Sequence, residues 1–335
     1  MRHKEDYNKY YEKIEMLGEG GFGTVHKAKK KDTEYFRAIK IIDFNKFKQN
    51  YLDQNLENPS ETEIKTYTDG LYNDIENMKI LEGKNMDNIN TVKFYEYFHT
   101  ENEFCIVMEL CDENLLQKLS RKEANKGFNI DEIYNILNQL NNSFRIMKEN
   151  NIIHRDLKLQ NILVKYTNKE KTDYILKLSD FGISKHLLTF TKKLSTQIGT
   201  MNTMAPEVLK GEKYNAKCDL WSLGIVIYHL YFHKQPYNGT TEIAILNQIK
   251  NLNKIISKRI DDYDLKDLVI QLLQPNPSKR ITWDDYFNHP FFYNHNNNKE
   301  NEIIINKKIK SINDKNIEKE KKIIKKDKLK KKFNK

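Results

Sequence analysis

Cysteine is scarce in this sequence: 335 residues carry three, Cys105, Cys111 and Cys218. The count is odd and no two have a paired spacing. That argues against a disulfide framework or a zinc site and for a reducing compartment, the cytoplasm or with it the nucleus. Long apolar runs are missing too. The longest, from Leu220 to Phe232, contains Ser222, Gly224 and His229 and is too short to span a bilayer, so a buried helix is expected there. The first residues, Met1 to Asp6, are charged with no apolar stretch behind them, so no signal peptide is expected. Evenly spread charge is also lacking. Residues 294–335 hold fifteen lysines against six acids, +9 of the formal +10, and leave the other 293 residues nearly neutral. Hydrophobic content of 38%, with 19 Tyr and 16 Phe, is enough for a globular core and excludes wholesale disorder.

What is present centres on residues 153–161, Ile-His-Arg-Asp-Leu-Lys-Leu-Gln-Asn. Asp156, Lys158 and Asn161 lie within six residues. They offer an acceptor for a hydroxyl proton, a cation for a charged oxygen and an oxygen ligand for a hard metal, the parts that phosphoryl transfer needs. The run H-R-D-L-K-x-x-N fixes six positions, and at ~1 in 20 for each a chance match is on the order of 10⁻⁸ per starting site. A charged surface loop is the bland alternative.

This run resembles the catalytic loop of the eukaryotic protein kinases, and further motifs of that family follow in order from about residue 11 to 293. Lys158 in this setting resembles the serine/threonine branch. The resemblance implies an α+β, two-lobed fold: a β-rich N-lobe with one key helix, about residues 11–108, and a mostly helical C-lobe, about 112–293. Residues 1–10 read as a short charged lead and 294–335 as a basic, disordered tail.

Near the start, Gly18-Glu19-Gly20-Gly21-Phe22-Gly23-Thr24-Val25 reads as strand, tight turn, strand. Glycine lets backbone N–H groups approach phosphate oxygens with no Cβ in the way. G-x-G-x-x-G alone is shared with dinucleotide-binding folds. Val25 two residues past the third glycine, and strand-like residues after it, favour the kinase form. The resemblance then puts Val25 and Ala38 on the adenine ring. Lys40, one lysine among apolar neighbours in Phe36 to Ile42, is costly to bury unless it meets an anion. By the same resemblance it binds the α- and β-phosphates of ATP.

Residues 43–72 are polar and longer than the family usually has there, so a disordered or mobile insertion is expected. A helix is expected from about Leu71 to Glu82, supplying an acid to Lys40. Asp74 and Glu76 are both candidates; the apolar spacing fits Asp74 better, although the family usually has Glu. The stretch Ile106 to Cys111 resembles the strand leading into the kinase hinge. It implies Met108 at the back of the nucleotide pocket and the backbone of Glu109 and Cys111 on the adenine edge, with Leu163 closing the other side.

Ile130 to Lys148 carries apolar residues at three- and four-residue steps, a buried amphipathic helix. Asp180-Phe181-Gly182, nineteen residues beyond Asn161 and directly after a strand, resembles the metal-binding motif, so Asp180 and Asn161 are the expected Mg²⁺ ligands. Residues 183–204 are the candidate activation loop. Thr196, with Ser195 beside it, falls where the family is most often phosphorylated, and Arg155 is the expected phosphate partner. Thr200 is expected to contact Asp156 and Lys158. Asp219 should brace the catalytic loop, and Arg280 should pair with Glu207. Gln160 and His229 stand where arginine-directed kinases carry acids, so no upstream arginine requirement is expected.

The function implied is transfer of the γ-phosphoryl group of MgATP to protein Ser/Thr hydroxyls, regulated through the activation loop by an upstream activating kinase. A pseudokinase scaffold would need Lys40, Asp156 or Asp180 to be missing. A tethering protein would act through its basic tail, on anionic lipid or nucleic acid.

Overall fold

The computed structural model describes residues 2–3, 6–20, 23–55, 57–83, 88–123, 126–181 and 201–295. Two compact units are separated, Met1–Phe287 and Asn288–Lys335. In the first, strands β1 (Arg2–His3), β2 (Tyr11–Gly20), β3 (Gly23–Lys30), β4 (Phe36–Asp43), β5 (Phe94–His99) and β6 (Glu103–Met108) form one sheet in the order β1-β5-β6-β4-β3-β2. All its pairings are antiparallel except β1 with β5. In the middle of the sheet, β4 buries Ala38, Ile39, Ile41 and Ile42, and β6 buries Phe104 to Met108. The N-terminal lead is therefore partly built into the sheet, and Tyr7 beyond it is buried.

The segment expected to be disordered is helical. Helix α1 (Phe44–Asn55) follows β4 directly, and α2 (Glu61–Leu81) begins ten residues before the expected start near Leu71. Ser60 caps α2 through a capping box with Glu63. Its composition is polar, but Phe44, Phe47 and Tyr51 recur at three- and four-residue steps and are all buried. A narrow apolar stripe was enough to fold it against α2.

Beyond the hinge come β7 (Glu113–Asn114), α3 (Leu115–Ser120) and α4 (Ile130–Glu149). α4 buries Ile133, Ile136, Leu137, Leu140, Phe144 and Met147, the stripe its spacing predicts, and Asn129 caps it. Strands β8 (Ile162–Tyr166) and β9 (Tyr174–Leu178) form a hairpin in register from Ile162↔Leu178 to Tyr166↔Tyr174. Helices α5 (Pro206–Leu209), α6 (Lys217–Phe232), α7 (Glu242–Ile249), α8 (Leu252–Arg259), α9 (Tyr263–Leu272) and α10 (Trp283–Phe287) complete the unit. α6 is buried almost all round, as its unbroken apolar run dictates. No helix among the described residues is long and apolar enough to cross a membrane.

Candidate active site

The β2–β3 hairpin sets Gly18 opposite Val25 and Gly20 opposite Gly23. A Cβ at Gly18 would meet nothing within 4 Å, and one at Gly20 would meet only Gly23 O at 3.9 Å. The chain's own packing thus does not require glycine at either, and both leave open space for a ligand's approach. Gly23 differs: a Cβ there would stand 1.8 Å from Ile41 O, so its glycine is fixed by contact with β4. Gly21 and Phe22 lie outside the described residues. On the next strand Val25 pairs with Lys40, and Ala38 pairs with Met108, both of the latter nearly buried.

Lys40 Nζ is 2.5 Å from Asp180 Oδ1. Burial alone would raise the Asp180 pKa, but Lys40, with His154 and Lys158 behind it, outweighs that and holds the carboxyl below its usual range. The other two candidate acids part company. Glu76 points outward and pairs with Lys79 at 2.8 Å. Asp74 is 4% exposed, on the same helix face as buried Met78, within the electrostatic reach of Lys40 and Asp180. Its Oδ2 is buried without a hydrogen-bond partner among the described residues.

That environment has a measurable consequence. Burial pushes the Asp74 carboxyl up to about 8, with Lys40 and Arg155 pulling back and Asp180 adding to the rise. Between the unfolded value near 4 and about 8, the folded chain keeps a proton that the unfolded chain has released, so stability falls as pH rises across that window. Asp74→Asn removes the titration. Its melting temperature should exceed that of the wild type by a margin that widens from pH 5 to pH 8, at most ~1.4 kcal/mol per pH unit. A margin that stays constant with pH would contradict this.

Two devices hold the catalytic loop. Asp219 on α6 accepts the backbone N–H of His154 at 2.7 Å and of Arg155 at 2.8 Å. His154, fully buried, donates from Nε2 to Ser179 O at 2.9 Å and packs on the Phe181 ring, so both serve packing. Arg155 and Asp180 have positive φ, 66° and 62°, conformations that persist only where the surroundings over-determine them. The clamp on Asp219 supplies that constraint at Arg155.

Within the loop, Lys158 Nζ lies 2.9 Å from Asp156 Oδ2. Asn161 Nδ2 donates to Asp156 O at 2.8 Å and to Asp156 Oδ2 at 2.9 Å. Asp156 Oδ1, also buried, has no partner among the described residues. It is the oxygen left to accept a proton. Since the Asn161 amide nitrogen is engaged, its oxygen is the atom available to a cation. Ser179 N–H and Oγ both bond to Asn161 O at 3.0 Å, tying Asn161 to the segment that carries Asp180. An amide oxygen beside a carboxylate is a hard-donor set that fits Mg²⁺. Leu163, partly exposed, follows on β8.

At the hinge, Glu109 N–H donates to Lys93 O at 2.8 Å and Lys165 Nζ donates to Leu110 O at 2.6 Å. The Glu109 N–H and the Leu110 carbonyl are therefore already engaged within the protein. Burial, with Glu109 adding to it, pushes the Cys111 thiol up to about 12, so it is not a nucleophile. Sequence reasoning missed Lys177, which reaches Glu109 Oε2 at 2.8 Å and Ile89 O at 2.9 Å behind the hinge. The signal was there: Ile175-Leu176-Lys177-Leu178 is another lysine among apolar residues, like Lys40. Thr196, Ser195, Thr200 and Gly182 lie outside the described residues.

The Protein kinase domain family model matches residues 11–292. The chain is 34% identical over 291 residues to calcium-dependent protein kinase 4 of Plasmodium berghei (strain Anka), covering 84% of this chain and 49% of that protein. It is 32% identical over 314 residues to calcium-dependent protein kinase 5 of the same organism, covering 92% and 50%. To the serine/threonine-protein kinase atg1 of Dictyostelium discoideum it is 30% identical over 287 residues, covering 84% and 39%. The chain spans about half or less of the length of these relatives. With that match over the sheet, the cleft and the helical part alike, the chain belongs to the protein kinase domain family.

Proposed function

We propose that the chain is a serine/threonine protein kinase that transfers the γ-phosphoryl group of MgATP to Ser/Thr hydroxyls of protein substrates. The observation that carries this reading is the Asp156–Lys158–Asn161 cluster, with one Asp156 oxygen without a partner among the described residues, joined through Ser179 to the Asp180–Lys40 pair. Asp156 orients the hydroxyl and accepts its proton. Lys158 faces the charge that develops on the transferred group, and Lys40 holds the α- and β-phosphates. Gly18 to Gly23, with open space at Gly18 and Gly20, cover the phosphates; Val25, Ala38, Met108 and Leu163 flank the base, and Glu109 and Cys111 bond its edge. Asn161 and Asp180 would hold Mg²⁺, which supplies neutralisation of phosphate charge when bound. In the resting protein Asp180 keeps Lys40. We assign Asp74 as the acid that takes Lys40 over, giving up its proton, once nucleotide engages the site.

Regulation belongs to the same proposal. Arg155 Nε is buried with no hydrogen-bond partner among the described residues, which supports a role in receiving a phosphate on Thr196 or Ser195 placed there by an upstream kinase. Substrate choice follows from charge. Burial, with His233 adding to it, pushes His229 down to about 4, so that position carries no charge at neutral pH, and Gln160 is neutral. Neither attracts an upstream arginine. The tail's basic charge is a candidate contact for anionic lipid or nucleic acid.

The test is product identity. Incubated with γ-labelled MgATP and an unbiased peptide library, the chain should form phosphoserine and phosphothreonine, without dominant upstream arginine. Label appearing only on tyrosine, or only as free phosphate, would overturn the reading.

A further inference from the structure

We propose that α1 is a built-in brace that holds α2 against the cleft, with Phe47 and Tyr67 the positioning residues through which it acts on Asp74. The kinetic part of this inference rests on the proposed phosphotransfer function; the structural part does not.

α1 starts where β4 ends, and Asp43 Oδ1 accepts the N–H of Asn45 at 2.8 Å, capping it at the end of that strand. Phe44, Phe47 and Tyr51 form its buried face. The Phe47 ring lies on the Tyr67 ring at 4.2 Å and 8°, a parallel stack, and Phe44 meets Tyr67 edge-on at 6.2 Å. The Tyr51 hydroxyl donates to Glu63, the same carboxylate that closes the α2 capping box. The three side chains of the buried α1 face therefore engage the first half of α2. On the opposite side, Lys46 Nζ reaches Glu19 Oε1 on the glycine-rich strand at 2.6 Å. One helix thus touches both elements that frame the phosphate end of the cleft.

The brace reaches the site through α2 itself. Tyr67 and Asp74 are seven residues apart, two helical turns, and so share a face about 10 Å apart along the axis. Both are buried, and both Tyr67 Oη and Asp74 Oδ2 are without a hydrogen-bond partner among the described residues. Among the described residues no hydrogen bond holds Tyr67 Oη or Asp74 Oδ2. The position of Asp74 relative to Lys40 is then set by packing, and of the ring contacts upstream of it on α2, which include those of Tyr72 with Tyr97, His99 and Phe104, the shortest is the Phe47–Tyr67 stack at 4.2 Å. Asp is shorter than Glu by one methylene, so a small rotation of α2 matters more here than it would with a longer acid.

Hydrogen exchange of the full chain tests the brace independently of catalysis. Phe47→Ala should speed exchange of the α2 amides from Ile64 to Met78 at least tenfold while leaving α4 unchanged. Phe47→Tyr, which keeps the stack, should restore protection. In the kinase assay at saturating MgATP, Phe47→Ala should lower kcat about tenfold and leave KM for the protein substrate within twofold. Val269→Ala, a core truncation on α9, should lower the melting temperature but not kcat. Wild-type exchange rates in Phe47→Ala, or an equal fall of kcat in Val269→Ala, would overturn the inference. If Phe47→Ala does not stay folded, Phe47→Leu is read by the same criteria. An inactive wild type with the expected exchange pattern would instead count against the functional reading and leave the brace standing.

Discussion

Asp156→Asn is expected to reduce phosphoryl transfer by about 10²–10⁴-fold while nucleotide binding persists. The substitution is nearly isosteric. Oδ2 currently meets both Lys158 and Asn161, and an amide in its place keeps the shape of the loop but loses the charge. Oδ1, the buried oxygen free of other bonds among the described residues, would no longer be a base. The His154 and Arg155 backbone bonds to Asp219 are untouched by the change, so the loop's fold should survive. Steady-state turnover and nucleotide titration on the same preparation check both halves. A variant with wild-type turnover would remove Asp156 from its assigned role.

Breaking the Glu207–Arg280 pair should have the largest effect on stability. The two side chains are almost entirely inaccessible and bidentate: Nη1–Oε1 at 2.7 Å and Nη2–Oε2 at 2.9 Å. Arg280 also donates to Lys217 O at 2.8 Å and Gln274 O at 3.0 Å, and its guanidinium lies over the Trp221 ring at 5.2 Å. Glu207→Ala would leave that guanidinium buried with its carboxylate gone, a loss of about 3–5 kcal/mol. The melting temperature should fall on the order of 10 °C. Replacing both members, Glu207→Leu with Arg280→Met, should recover most of it, because no uncompensated charge remains. Thermal denaturation of the two variants decides this; a single-variant loss below ~1 kcal/mol would mean the pair is dispensable.

The contrast between these sites and α1 shows what a sequence displays. The catalytic loop is local: Asp156, Lys158 and Asn161 sit within one turn of chain, so their chemistry is visible as spacing. The Glu207–Arg280 pair is distant in sequence, and only the family resemblance joined its members. Asp74 and Glu76 differ by a rotation of about 200° around a helix; the apolar spacing fits Asp74 better, and on that helix Met78 is buried and Ile80 exposed, while Lys40 itself pairs with Asp180. α1 was hidden by composition. Its Asn, Gln and Lys content reads as disorder, yet three aromatics at helical spacing had a ready surface in Tyr67 and the sheet edge. Lys177 was legible in type but not in partner, since Glu109 lies 68 positions away in the chain and meets it only in the folded hinge.

The central claim is that the chain's own cleft residues carry out phosphoryl transfer. Rapid-quench single-turnover measurement, with purified chain in excess over γ-labelled MgATP, tests it most directly. Wild type and Asp156→Asn are loaded to equal nucleotide occupancy and given the same protein substrate. The wild type should form phosphoserine or phosphothreonine promptly, and the variant at a rate lower by at least a hundredfold. Equal rates in the two proteins would contradict it.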